Sequence, residues 1–301
     1  MATRKEENAA VGMLTYANYA HAFCLYPATL HDLEEAQNAL PGFRNLQQSK
    51  QATEVLKRHL HRGFMTLQYI KKLPVENMPE IEMAAALWIP VLVYYAVHGF
   101  GLAALAALHG DNLPKKHAKF IRAAGKQPVC SLLPDPFVAR LTGGFKGDNF
   151  TNFNAENLVG LHLDCEPDNW PSHHKIPTPK TRISHIARCL STTRRRQLNK
   201  RFASKRREEN IKTLPPDEKM NILNKFSDTT VFDYLYRMRE HSNYDNPKLF
   251  ALGPENKSLA LRFVNKNREN AIRLCHLLLR IIERRLKKDE YTKLVEDWQV
   301  G

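Results

Sequence analysis

Between Glu82 and His109 the chain runs MAAALWIPVLVYYAVHGFGLAALAAL without one Asp, Glu, Lys or Arg. A run of that length, apolar on every side, is either a bilayer span or a helix enclosed on all sides by a helical core. Ala and Gly dominate it, Pro90 and His98 interrupt it, and its flanks lack the paired aromatic and cationic anchors of a span. The enclosed helix is the better reading, and no membrane is expected as a partner. The other elements must then be amphipathic and arranged around it.

The pattern of the remaining chain agrees. From Gln47 to Lys71, Ala52, Val55, Leu56, Leu60, Phe64, Leu67 and Ile70 recur every three or four residues, an amphipathic helix with a basic outer face. His109-Gly110-Asp111-Asn112 signals a helix stop and turn, and Pro114 opens a short basic helix, PKKHAKFIRAA. From about Gly125 to Lys180 periodicity is lost among prolines 128, 134, 136, 167, 171, 177 and 179, the pair Gly143-Gly144 and many Asn. That stretch reads as an irregular insertion with short helical turns near Asn154–Val159. Helical signals return over Arg182–Glu209, after Pro215-Pro216 to Phe226, over Thr230–His241 and over Asn256–Leu286. Period-two alternation is scarce, so the expected class is all-α.

The five cysteines, Cys24, Cys130, Cys165, Cys189 and Cys275, are odd in number, widely spaced and contain no CxxC pair. Free thiols in a reducing, cytoplasmic setting follow. The start, MATRKEENAAVG, has neither an apolar core nor a cleavage signal, so export is not expected. The net charge of +14 suits a polyanionic partner.

That charge is concentrated. Lys180–Arg207 carries Lys180, Arg182, Arg188, Arg194, Arg195, Arg196, Lys200, Arg201, Lys205, Arg206 and Arg207 and no acid. On a helix such density spreads over more than one face, which a phosphate backbone would relieve through counterion release. Arg188, Arg194, Arg195, Arg196, Lys200, Arg201, Lys205, Arg206 and Arg207 are therefore the candidate nucleic-acid-binding residues. The competing reading is a solvated helix paired with acids from elsewhere in the fold. Only Phe202 lies within the run, so stacking on single strands has little support there.

A second constellation is FDYLYRMREHSNYDNP at 232–247, where Tyr234, Leu235 and Met238 recur at helical spacing and the helix should end near Asn243–Pro247. Arg237 and His241 lie one turn apart, with Arg239 and Asn243 on neighbouring faces. Such a pair can hold a phosphate and move a proton, or it can tie a helix end to its neighbours. His162, Cys165, His173 and His174 crowd together but match no strong zinc spacing, so no metal and no cofactor is expected. LTGGFKGDNF at 141–150 lacks the Gly-Lys-Ser/Thr ending of a phosphate loop, and no GxSxG or HExxH occurs.

Taken together, PVLVYYAVHGFGLAALAALHG followed by NLPKKHAKFI resembles the second helix and following turn of HEPN domains, with the helix before it as their first. LYRMREHSNYDNP and the long helix at 256–288 are similar to the family's arginine motif and closing helix. The resemblance covers about 47–125 and 229–288. It implies a HEPN-like helical bundle with a long irregular insertion: an N-terminal helical extension (1–46), a first half (47–125), a Pro/Gly/Asn-rich insertion (126–180), a basic helical segment (181–228) and a second half (229–301). It further implies a metal-independent endoribonuclease of toxin and antiviral defence systems. Its homodimer would form a composite site, the arginine holding the scissile phosphate and the histidine assisting attack by the ribose 2′-hydroxyl. Carried onto this sequence, the catalytic candidates are Arg237, Arg239, His241, Asn243 and Tyr244.

The match is not complete. Arg237 and His241 stand closer than the family spacing, and aligning Tyr244 with the motif tyrosine puts Arg239 at the arginine position and Ser242 at that of the histidine. A non-catalytic subgroup of the family shows a similar form. Two readings follow: an RNA-directed endoribonuclease acting through Arg237, Arg239 and His241, or a non-catalytic subunit of a defence complex that presents the basic helix to nucleic acid or an acidic partner. The position of His241, turned toward a shared site or packed into its own chain, discriminates between them.

Overall fold

The computed structural model describes residues 4–25, 29–48, 51–73, 79–126, 128–142, 158–159, 175–245 and 257–299, and the class is all-α. Twelve helices run in order among these residues: α1 Arg4–Cys24, α2 Leu30–Ala39, α3 Pro41–Arg44, α4 Glu54–Lys72, α5 Pro79–His109, α6 His117–Lys126, α7 Pro128–Ser131, α8 Arg182–Glu208, α9 Pro216–Asn224, α10 Val231–Glu240, α11 Lys257–Arg285 and α12 Lys288–Gln299. A π-helical turn, His241–Asp245, extends α10. The strands are two residues each: β1 (Arg140–Leu141) lies between β2 (Leu158–Val159) and β3 (Thr229–Thr230), antiparallel to both. Leu158 and Val159 thus pair with Leu141 and Arg140 instead of forming the helical turn expected there, because a strand partner takes up their backbone groups. Most of the insertion lies outside the described residues, including Gly143, Gly144 and the group His162, Cys165, His173 and His174.

Helix α5, without an acid, Lys or Arg from Met83 to Leu108, is the axis of the fold, with α4 along one side, α11 along another, and α10 and α6 completing its surround. Although Ala84–His109 has the length and hydropathy of a membrane span, 78% of its most apolar window is buried inside the molecule. Its small residues let neighbours come close. A Cβ on Gly99 would lie 2.7 Å from the Gly63 nitrogen, so α4 and α5 meet backbone to backbone there. The expected stop is found at Gly110, whose φ of 91° suits glycine and whose N–H bonds back to the Ala106 carbonyl at 2.8 Å.

α4 begins at Glu54, later than the periodicity implies, because the Thr53 hydroxyl accepts the Leu56 N–H at 3.2 Å and caps the helix. α6 likewise starts at His117 instead of Pro114, its first N–H bonds running back to the Lys116 carbonyl at 2.9 Å. α1 is no appendage to this core: Met13, Tyr16, Tyr19 and Phe23 are buried within it, and the helix packs against α11 and α8. A smaller apolar cluster of Leu198, Phe202, Leu214 and Leu223 holds α9 to the far half of α8. Asn210, at φ 53°, ends α8 in the left-handed conformation that Asn tolerates. Cys24, Cys130, Cys189 and Cys275 are free and buried, and burial pushes their thiols up, Cys130 to about 12.

Candidate functional site

α8 and α10 carry the charged candidates side by side, fixed by a capping interaction at the start of α10. Asp233, at the third helical position, accepts from the Thr230 N–H (2.8 Å) and hydroxyl (3.0 Å) and from Gln197 Nε2 of α8 (2.7 Å). Burial raises its carboxyl above the usual range, against the lowering effect of these bonds. At the other end, Ser242 donates to the Leu87 carbonyl of α5. The strip from Thr230 to Asp245 is thus pinned at both ends.

Of the expected nucleic-acid-binding residues, Arg194 must be corrected. It is only 1% exposed, and its Nη1 donates to the Ser227 carbonyl at 2.8 Å and to Thr229 Oγ1 at 3.3 Å. Its guanidinium also lies 5.0 Å from the Phe226 ring centroid, and desolvation lowers its pKa. Arg194 stitches α8 to the strand before α10 and does not face solvent. Several others meet acids, as the competing reading of the basic run foresaw. Arg196 pairs with Asp245, Lys200 with Glu240 (2.9 Å) and Asp245 (3.6 Å), and Lys205 with Glu209 (2.6 Å). Arg206 reaches the Lys212 carbonyl at 3.5 Å and Arg207 the Ala203 carbonyl at 3.3 Å. Arg195 and Arg201 are exposed, and Arg188 is half-buried.

The expected catalytic group separates into two. Arg237 turns inward: Nη1 donates to Thr192 Oγ1 (3.0 Å) and Thr193 Oγ1 (3.2 Å), and Nη2 to the Tyr16 hydroxyl (3.1 Å). His241, only 7% exposed, lies 5.8 Å from the Tyr16 ring and accepts from Arg196 Nη1 at Nε2, 2.6 Å away. An arginine has no lone pair to offer, so this bond fixes the proton of the neutral ring on Nδ1, which is buried without a partner. Burial, then the Arg196 and Arg237 charges, push the His241 pKa down to about 4. The imidazole therefore packs into its own chain, with its basic nitrogen occupied.

Arg239 turns the other way, into a ring of tyrosines. Its guanidinium carbon lies 5.7 Å from the Tyr94 centroid, 5.3 Å from Tyr95, 5.7 Å from Tyr236 and 5.8 Å from Tyr244, and Nη2 donates to the Tyr95 hydroxyl at 3.1 Å. Behind them the Tyr94 hydroxyl meets His117 Nδ1 at 2.8 Å, and His117 stacks on Tyr236. Asn243 is half-buried, and Tyr244 stands out at 70% exposure.

A cleft of about 740 Å³ opens between α6, α8, α9 and α10. Arg196, Lys200, Arg201, Lys205 and Arg237 line it, joined by Arg122 from α6 and Lys225 from the end of α9. Glu208, Glu218, Asp228, Asp233 and Glu240 share the wall, five acids against seven cations. Arg122, Lys225, Tyr16 and the tyrosine ring apart from Tyr244 were not foreseen. Tyr94-Tyr95 beside His98 was the available signal for the last of these, but only tertiary structure brings them to Arg239. Among the described residues no group of three or more His, Cys, Asp or Glu could hold a metal ion. The chain matches no protein-family model, no curated protein and no solved structure.

Proposed function

We propose that this chain is a HEPN-like, RNA-directed binding protein, the non-catalytic one of the two readings. The observation that carries it is the cleft, where Arg122, Arg201, Lys205 and Lys225 converge from separate elements on one solvent-open surface. Cations gathered by tertiary structure suit a bound phosphate chain better than an isolated basic helix does. The state of His241 argues against strand cleavage. A general base needs a free lone pair within reach of the 2′-hydroxyl and a pKa near the working pH, whereas here Arg196 takes Nε2 and the pKa falls to about 4. Self-association and membership of a defence complex, both implied by the resemblance, belong to the same proposal.

The test measures RNA affinity against salt concentration, beside incubation of the same RNA with the protein in EDTA. Binding should weaken steeply with salt and leave the RNA intact. Arg201→Ser/Lys205→Ser should reduce the logarithmic slope by roughly 0.7 to 0.9 for each phosphate no longer neutralised. Fragments ending in 2′,3′-cyclic phosphate, absent with His241→Ala, would instead establish the endoribonuclease. Salt-insensitive or absent binding would remove the RNA-directed reading.

A further inference from the structure

We infer that Tyr95, Arg239 and Tyr244 form a stacking platform for the bases of single-stranded RNA, continuous with the cationic cleft; this rests on the RNA-directed reading above. Three observations converge. First, Arg239 differs from the cations beside it: Arg196, Lys200 and Lys205 each meet a carboxylate, whereas no ion pair joins Arg239 to an acid among the described residues. Among the described residues it meets the faces of four tyrosines and one phenol oxygen, which hold its charge in place without cancelling it.

Second, the two outer rings face solvent. Tyr95 is 38% and Tyr244 70% exposed, while Tyr94 and Tyr236 are held from behind by His117. Trp88, 53% exposed, lies two helical turns before Tyr95 on the same face of α5, roughly 10 Å along its axis. Aromatic rings spaced along a surface stack bases without regard to sequence, because every base offers a π face. Third, Tyr236 belongs to both features: it touches Arg239 and it lines the cleft. A strand whose phosphates follow Arg201 and Lys205 can therefore bring its bases onto Tyr95 and Tyr244, with Arg239 beneath the phosphate between them.

A single strand fits this surface better than a second protein chain. An apolar partner would bury the uncompensated Arg239 charge at a desolvation cost. A nucleic acid supplies both the π faces and the anion. A duplex, with its bases already stacked, would gain only the charge.

The experiment is fluorescence anisotropy with a labelled single-stranded oligoadenylate and a duplex RNA of equal length. The proteins are wild type, Tyr95→Leu/Tyr244→Leu, Tyr244→Ala alone, Tyr244→Phe and the charge control Arg201→Ser/Lys205→Ser. Tyr244 is so exposed that its replacement leaves the fold intact, which a melting curve checks. The double tyrosine variant should bind the single strand about 10- to 100-fold more weakly with an unchanged salt slope, and the duplex as before. Tyr244→Ala should show part of that loss and Tyr244→Phe none.

If the tyrosine variants bind like wild type while the charge control weakens, the platform is refuted and the RNA-directed reading stands. If light scattering shows a wild-type dimer that Tyr95→Leu/Tyr244→Leu dissociates without changing affinity, the face joins two copies of the chain and the platform is likewise refuted. Absence of RNA binding by wild type would overturn both.

Discussion

Burying a guanidinium is tolerable only where its N–H groups find acceptors, and Arg194 finds the Ser227 carbonyl and the Thr229 hydroxyl with a ring at its face. Arg194→Ala would strand that carbonyl and open a void, so a loss of about 2 to 4 kcal/mol is expected in thermal or denaturant unfolding. RNA affinity measured below the transition should not change, in contrast to Arg201→Ser/Lys205→Ser. In the sequence Arg194, Arg195 and Arg196 are equivalent letters. One turns inside, one lies in solvent and one bonds His241, because beyond Leu190 the helix buries only a narrow stripe through Thr193, Arg194, Leu198 and Phe202. The composition of the cationic surface was legible, but its membership was not. Histidine gives a second test at this scale. His241 and His98 are held down to about 4 and about 3, chiefly by burial, against an ordinary value of 6.5. The unfolded chain thus takes up protons before the folded one does, and their contribution, full above pH 6.5, is lost as pH falls toward 4. Denaturant midpoints should decline through that window, and His241→Gln should flatten the decline. An unchanged slope in that variant would show that His241 does not carry it.

Some helix ends made by a local device were legible: Gly110 marks a stop and Pro216 a start that need no tertiary partner, whereas the Thr53 cap of α4, equally local, is masked by the longer apolar period. The π-helical turn and the short strands were not legible, since each depends on a distant chain segment: Ser242 on α5, Leu141 on Thr229. The α4–α5 crossing shows what such dependence costs to disturb. Alanine is the better helix former by roughly 0.5 to 1 kcal/mol, so Gly99→Ala would stabilise an isolated helix. Here its methyl meets the Gly63 nitrogen and Cα at 2.7 and 2.8 Å, backbone that can yield only if the helices part. Overpacking of this kind costs about 1 to 3 kcal/mol, so a net loss is expected, visible as a lower melting temperature. Gly63→Ala, which meets the Phe100 ring at 2.8 Å and the Phe100 backbone nitrogen at 3.0 Å, should cost somewhat less, because the ring can move and the backbone contact is the longer one. Equal or higher stability for Gly99→Ala would mean that the two helices do not approach as described.

For the molecule as a whole, the question is whether the two halves of the helical bundle suggested by the sequence stand without the segment before them. Their pattern was readable because α4, α5 and α11 each repeat over many turns. The weak amphipathicity of α1 hid its membership of the same core. Yet Met13, Tyr16, Tyr19 and Phe23 fill that core, Tyr16 bonds Arg237 and lies against His241, and Asn270 of α11 donates to the Ala20 carbonyl. Four large side chains returned to water forfeit about 1.5 to 3 kcal/mol each. That sum rivals the whole net stability of a domain, about 5 to 15 kcal/mol. A chain beginning at residue 29 should therefore lose its cooperative melting transition and its near-ultraviolet circular dichroism while keeping much helix, as a core without fixed packing does. Its apolar α11 and α8 faces would be uncovered, so aggregation should follow. A truncated protein that melts cooperatively within a few degrees of the full chain would show α1 to be an addition to the bundle, and the inward setting of Arg237 and His241 would then owe nothing to it.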